Sequence, residues 1–140
     1  MKILGVIPAR LQSTRLPRKV LREIGGVPMV VYVFHRAQAC RLLSDLLVAT
    51  DSEEVVEACH THHVPAVLTS SDHRSGTDRL WEVSRARMAD VYVNIQGDEP
   101  LIDPAAIDAA ALSLSPTERG PARTAPHARN GPRVSRLLRL

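Results

Sequence analysis

The feature that most constrains this chain is an alternation: short branched apolar runs are followed by stretches whose apolar residues recur every three or four positions. Ile3 to Ile7 is a run of the first kind, ended by Pro8, and predicts a buried strand running into a loop. Between Pro28 and Cys40, the residues Met29, Val30, Val33, Phe34 and Ala37 trace a helical stripe, and Pro28 suits a first turn where its missing N–H costs nothing. Asp45 to Thr50 predicts a second buried strand. Asp51 and Ser52 then predict a helix cap, with Glu53 and Glu54 at the positive end of the helix dipole and Val55, Val56, Ala58 and Cys59 on the apolar side. Pro65 to Thr69 predicts a third strand, Thr77 or Asp78 the cap of a helix bearing Leu80, Trp81, Val83 and Ser84, and Asp90 to Gln96 a fourth strand. Ala105 to Leu112 would begin another helix behind Pro104. This βαβαβαβ order of near-continuously apolar strands predicts an α/β fold: a parallel sheet with helices on both faces and right-handed crossovers.

After residue 112 the periodicity ends. Ser113 to Leu140 holds four prolines, two glycines and six arginines against the single acid Glu118, and its apolar residues gather only at Leu137, Leu138 and Leu140. That composition predicts disorder, or a tail read in a shifted frame, because Ala, Arg, Pro and Gly are what GC-rich codons give when misread. The expected organisation is an α/β part over residues 1–112, truncated after about four strands, and an Arg/Pro-rich tail over residues 113–140. Such an arrangement leaves the last helix and the sheet edge uncovered. The tail also supplies the net charge of +3, so the pI of 9.3 does not describe the α/β part. A nucleic-acid partner would have to bind that tail, and no aromatic interleaving or groove-reading helix accompanies its charge. A chain of 140 residues fits one domain and excludes a two-domain enzyme. Two cysteines cannot build a disulfide framework, no apolar run approaches the roughly 18 residues that span a bilayer, and the N-terminus lacks the pattern of a secretory signal. A cytoplasmic protein with no membrane partner is expected.

In a parallel α/β sheet, ligands bind outside the carboxyl ends of the strands, and the polar motifs of this chain fall there. The segment Pro8 to Lys19 (PARLQSTRLPRK) places the four cations Arg10, Arg15, Arg18 and Lys19 and the hydroxyls of Ser13 and Thr14 in the loop leaving the first strand. Arginine supplies planar bidentate donors to phosphate oxygens and lysine a compact charge, so the segment suits a polyphosphate better than it suits a merely solvated loop. The second motif, Thr69 to Arg79 (TSSDHRSGTDR), follows the third strand. Gly76 allows close backbone approach, and a helix starting at Thr77 would attract anions. His73 taken alone is better explained by a surface or turn position than by catalysis, Asp72 and Asp78 equally by turn and cap roles, and Arg79 by pairing with a carboxylate. The third motif, Val93 to Pro100 (VNIQGDEP), ends the fourth strand with Asp98 behind Gly97, and one carboxylate joined by phosphate oxygens is enough to hold magnesium. A rival metal set, Cys59-His60-Thr61-His62-His63, could bind zinc or copper but is crowded into one helix end. Met29, Phe34 and Trp81 are expected in the core.

The run Ile7-Pro8-Ala9-Arg10, followed by Ser13-Thr14-Arg15-Leu16-Pro17, Lys19 and Gly26-Val27-Pro28-Met29, resembles the 3-deoxy-manno-octulosonate cytidylyltransferase family, the CMP-Kdo synthetases of Gram-negative lipopolysaccharide synthesis. Related sugar-phosphate nucleotidyltransferases carry a Gly-rich loop after the first strand, and sialic-acid cytidylyltransferases share the start without the Ser-Thr-Arg-Leu-Pro continuation. The resemblance covers residues 1 to about 112, the N-terminal half of the usual family length. It implies a Rossmann-like nucleotide-diphospho-sugar transferase fold and attack by the anomeric hydroxyl of Kdo on the α-phosphorus of CTP, giving CMP-Kdo and pyrophosphate. It further implies nucleotide contacts from Pro8, Ala9, Arg10, Ser13, Arg15, Lys19, Arg74, Ser75 and Gly76. Catalytic roles fall to Arg10, Lys19 and Asp98, magnesium to Asp98, and the sugar acid to the neighbourhood of Arg15 and Gln96. The full-length family is expected to form homodimers. Two departures stand out: Arg18 occupies a position where the family commonly has a small residue, and no Asp-Thr-Pro-Glu segment supplies a second metal-binding aspartate. A chain that binds CTP and magnesium without turning over is the alternative.

Overall fold

The computed structural model describes residues 2–12 and 18–113 together with the backbone of residues 136–139. Strand β1 (Ile3–Ala9) is followed by a 3-10 turn (Lys19–Leu21), a small hairpin of β2 (Glu23–Ile24) and β3 (Val27–Pro28), and helix α1 (Met29–Ala37). Strand β4 (Asp45–Thr50), α2 (Glu53–Thr61), β5 (Ala66–Leu68), α3 (Gly76–Ala86), β6 (Val91–Asn94), α4 (Pro104–Ser113) and β7 (Arg136–Arg139) complete the order. The main sheet runs β5-β4-β1-β6-β7 with every neighbouring pair parallel. The expected βαβαβαβ succession and parallel sheet are therefore present.

Two elements depart from the sequence expectation. The β2–β3 hairpin turns on Gly25 and Gly26, whose positive φ values of 59° and 87° suit a two-residue hairpin loop. The second departure is β7, which pairs with β6 from Val91 opposite Arg136 to Asn94 opposite Arg139. No strand is expected in a stretch so rich in arginine, but an open row of β6 N–H and C=O groups is a template that a short segment can satisfy with its backbone alone. Residues 114–135, most of the expected tail, lie outside the described residues.

Period-two alternation in the strands builds two cores. Ile3 and Ile7 of β1, Leu46 and Val48 of β4 and Val91 and Val93 of β6 face one side, against α1, α2 and α4. Leu4, Val6, Leu47, Ala49 and Tyr92 face the other, against Leu80 and Val83 of α3. Helices therefore cover both faces, and the polar loops are left at the carboxyl ends of the strands. Met29 and Phe34 belong to the first core, whereas Trp81 is only half-buried and belongs to neither. The caps are serines: Ser52 Oγ accepts the Val55 N–H at 3.4 Å, and Ser75 Oγ accepts the Asp78 N–H at 3.2 Å. α3 thus begins at Gly76 with Ser75 as its cap in place of Thr77 or Asp78, because the extended Ser75 backbone lets its hydroxyl reach back over the first turn.

Among the described residues no helix is long and apolar enough to cross a membrane. Both thiols are unpaired: Cys59 is fully buried under α2 and Cys40 is half-buried. Burial pushes both up to about 11, with Asp108 and Asp103 adding to the effect at Cys40. At pH 8 about one thiol in a thousand is then ionised, so iodoacetamide should label the native chain slowly and the urea-unfolded chain at the rate of a free cysteine. Rapid labelling of native Cys59, read by peptide mass, would show that α2 is not seated on the sheet.

Candidate functional site

The strand order changes direction at β1: the chain builds outward through β4 and β5, then crosses back to lay β6 on the other side of β1. Loops leaving the carboxyl ends of β1 and β6 therefore diverge and leave a crevice between them. The segment between β5 and α3 closes its third side. Pro8 lies at the junction, flanked by two residues without side chains. A Cβ on Gly76 would stand 3.1 Å from Pro8 Cγ, and a Cβ on Gly97 would stand 3.0 Å from the Pro8 carbonyl oxygen. Glycine at these positions is what lets three loops meet.

The resulting cleft measures about 290 Å³. From the β1 loop it receives Pro8, Arg10 and Lys19, from the β5–α3 segment Arg74, Ser75 and Gly76, and from the β6 loop Gln96 and Asp98. Eight of the residues singled out from sequence are thus brought together from three separate motifs. Ala9 does not line the cleft; its side chain is buried in the core beneath it. Ser13 and Arg15 lie outside the described residues. The loop is nevertheless closed at its ends, since the Arg18 N–H donates to the Leu11 carbonyl at 2.9 Å. Arg18 has a left-handed backbone, φ 61°, a conformation uncommon for a residue that carries a Cβ. Its guanidinium turns away from the cleft to a two-point ion pair with Glu54 of α2, so the neighbouring Lys19 is the one that faces inward.

Among the described residues four cations, Arg10, Lys19, Arg74 and Arg79, line this space with Asp98 as the single carboxylate. Lys19 Nζ meets Asp98 Oδ2 at 3.2 Å across the opening. Arg10 and Arg74 are exposed and have no ion pair or hydrogen bond among the described residues. The remaining positive potential suits an anion with several oxygens. Asp98 also fits a magnesium ion: its carboxylate is exposed at the mouth of the cleft, and its Oδ1 carries no hydrogen bond among the described residues. Among those residues no group of three or more His, Cys, Asp or Glu could hold a metal, so Asp98 would share an ion with ligand oxygens. The Cys59–His63 set fails as a metal site because Cys59 points into the core while His60 and His63 are exposed.

Sequence reasoning missed or underrated His73, Arg79, Val20 and Gly97 as parts of the cleft. Arg79 is 3% exposed; its Nη1 donates to Thr69 Oγ1 and, at 3.1 Å, to the Ser70 carbonyl, and Asp51 lies 3.9 Å away. The carboxylate pairing expected of Arg79 is thus present but loose. Glu82, one turn further along α3, accepts the Ser70 N–H at 3.0 Å and contacts His73 Nε2 at 3.1 Å. The Ser70 N–H holds the Glu82 carboxyl below its ordinary range, and His73 and Arg79 act in the same direction. The spacing of Arg79 and Glu82 on one helix face was a legible signal, but only the fold shows that the loop runs back along that face. Asn94, at the end of β6, is fully buried behind Gly76, and neither its oxygen nor its nitrogen has a partner among the described residues.

The model of a family described as cytidylyltransferase matches residues 4–129. The 3-deoxy-manno-octulosonate cytidylyltransferase of Koribacter versatilis is 55% identical over 104 residues, which cover 74% of this chain and 40% of that protein. The enzyme of the same name from Acidobacterium capsulatum is 54% identical over 105 residues, covering 75% and 43%. A solved structure of CMP:2-keto-3-deoxy-manno-octonic acid synthetase complexed with CTP matches with a TM-score of 0.80 at 42% identity, over 81% of this chain and 47% of that one. The chain therefore spans less than half the length of each of these three relatives.

The contact between Gly97 and the Pro8 carbonyl can be tested directly, because backbone cannot swing aside as a side-chain tip can. Gly97→Ala should lower the unfolding free energy by about 1–3 kcal/mol, as overpacking does, measured by urea denaturation. An unchanged midpoint would mean that the β6 loop does not press on β1.

Proposed function

The chain belongs to the cytidylyltransferase family, and we propose that its cleft is the nucleotide-binding half of an enzyme that activates Kdo with CTP, giving CMP-Kdo and pyrophosphate for lipopolysaccharide synthesis. One observation carries this reading: cations from separate loops surround the Asp98 carboxylate at the switch point of the sheet. Relatives about half identical to the chain bear names for that reaction.

Nucleotidyl transfer needs charge control more than a nucleophile on the protein, because negative charge grows on the transferring phosphoryl group and on the departing pyrophosphate. Arg10, Lys19 and Arg74 hold the triphosphate from two sides, with Ser13 and Arg15 of the same loop adding donors. Lys19 must first leave Asp98. That pair is exposed on both sides and worth at most about 1 kcal/mol, so an incoming triphosphate separates it at little cost. Pro8, Ser75 and Gly76 fix the nucleoside by close approach of backbone, and Gln96 together with Arg15 orients the sugar acid. Asp98 holds magnesium, which when bound supplies neutralisation of phosphate charge. Fixing the sugar hydroxyl against the α-phosphate then makes the encounter effectively unimolecular.

A second reading is that this stretch taken by itself binds CTP with magnesium and does not turn over, since the matched region is under half of each of these relatives. The two readings separate in a pyrophosphate-release assay with CTP, Kdo and magnesium, run beside calorimetric titration with CTP. Turnover supports the first, and binding without pyrophosphate supports the second. Absence of both removes the nucleotide reading altogether. In an active chain, Lys19→Ala should slow turnover on the order of a hundredfold, as loss of one transition-state charge partner does; unchanged turnover would remove Lys19 from the site. Asp98→Asn should act oppositely on two ligands. It abolishes the magnesium dependence of CTP binding, yet by freeing Lys19 it tightens metal-free tripolyphosphate by about threefold, the scale of an exposed ion pair. Equal effects on both ligands would refute the shared role of this pair.

A further inference from the structure

We propose that Glu82 is a positioning residue for the cleft, holding the Ser70 backbone and the His73 ring so that the segment between β5 and α3 presents Arg74 to the nucleotide. The proposal rests on the CTP reading above. A single carboxylate oxygen, Oε1, receives the Ser70 N–H at 3.0 Å and lies 3.1 Å from His73 Nε2. One turn earlier on the same helix, Arg79 takes the Ser70 carbonyl at 3.1 Å and the Thr69 hydroxyl. Both peptide groups flanking Ser70 are therefore held by α3. The other end of the segment is fixed by Ser75, whose hydroxyl caps the helix. Arg74 lies between these anchors with no hydrogen bond or ion pair of its own among the described residues, and it lines the cleft.

The bland alternative is a carboxylate on a solvated helix face, and the two contacts made by the single Glu82 oxygen, at 3.0 and 3.1 Å, separate the two. α3 rests on the sheet through Leu80 and Val83, both buried, whereas the Glu82 side chain is 34% exposed and joins neither core cluster. The fold does not need Glu82, but the path of the segment does. Because Glu82 acts through hydrogen bonds that an amide oxygen can also accept, the conservative variant should rescue.

The test compares Glu82→Ala and Glu82→Gln in the whole 140-residue chain by calorimetric titration with magnesium and CTP, amide hydrogen exchange at Ser70, and thermal midpoint. Glu82→Ala should weaken CTP about tenfold, the scale of one lost charge-assisted hydrogen bond. It should also speed Ser70 exchange and lower the midpoint by only a few degrees, less than the affinity loss requires, while Glu82→Gln stays close to the unaltered chain in all three. The proposal is overturned if Glu82→Ala binds CTP normally, if affinity falls only in step with the midpoint, or if Glu82→Gln is as impaired as Glu82→Ala. Should the unaltered chain fail to bind CTP, the nucleotide reading falls. Ser70 exchange then decides by itself whether Glu82 holds the segment, and unchanged exchange in Glu82→Ala overturns that too.

Discussion

Pro8 lies between two backbones that approach it within van der Waals distance, and every feature of the cleft depends on that approach. Gly76 starts α3 against one side of the proline ring, and Gly97 brings the β6 loop onto its carbonyl. A methyl group at either position would push out one wall of the cleft and carry Ser75 or Asp98 with it. The proline contributes stiffness as well, since its fixed φ allows the chain little freedom as it leaves β1. Charge arrives at this junction only because sterics permit it.

The cations around the cleft have different duties, and their partners reveal which. Arg18 is committed to Glu54 on the outer side and ties the β1 loop to α2. Arg79 is buried and spends its donors on the Thr69 hydroxyl and the Ser70 carbonyl. A buried guanidinium without a close carboxylate is costly, and neutral oxygens within reach are what make it tolerable. Lys19 is shared with Asp98 in a pair loose enough to open. Arg10 and Arg74 have no partner among the described residues, so their charge is available to whatever enters. The same residue type thus appears in one motif as a ligand-facing group and in another as part of the frame.

The βα succession was legible because apolar periodicity reports directly on which face an element buries, and each strand and helix expected from it is present. The hairpin at Gly25–Gly26 does have a local signal outside that periodicity: two glycines between Ile24 and Val27 make a two-residue turn. The strand at Arg136–Arg139 had no such signal, because what recruits it is the open edge of β6, a property of the sheet and not of the segment. Trp81 was misplaced for a related reason. A helix stripe gives the direction of the core but not how far the sheet extends beneath it. The histidines after Cys59 were a plausible metal set only while the orientation of α2 was unknown.

The linear order of residues by itself determined the fold class, the positions of the polar loops at strand ends, and the chemistry those loops can perform, because strand and helix periods and the charge of a side chain are local properties. Charge and position in the loops therefore led to Arg10, Lys19 and Asp98, the family resemblance led to Arg74, Ser75 and Gln96, and the cleft brings these residues together. Only the tertiary structure decided that Lys19 pairs with Asp98 while its neighbour Arg18 faces α2, that Arg79 and Glu82 grip the segment in front of them, and that two glycines close on Pro8. Each of these joins residues distant in sequence or running back along a helix face, and their distances are set by sheet order and close packing, which no window of sequence contains.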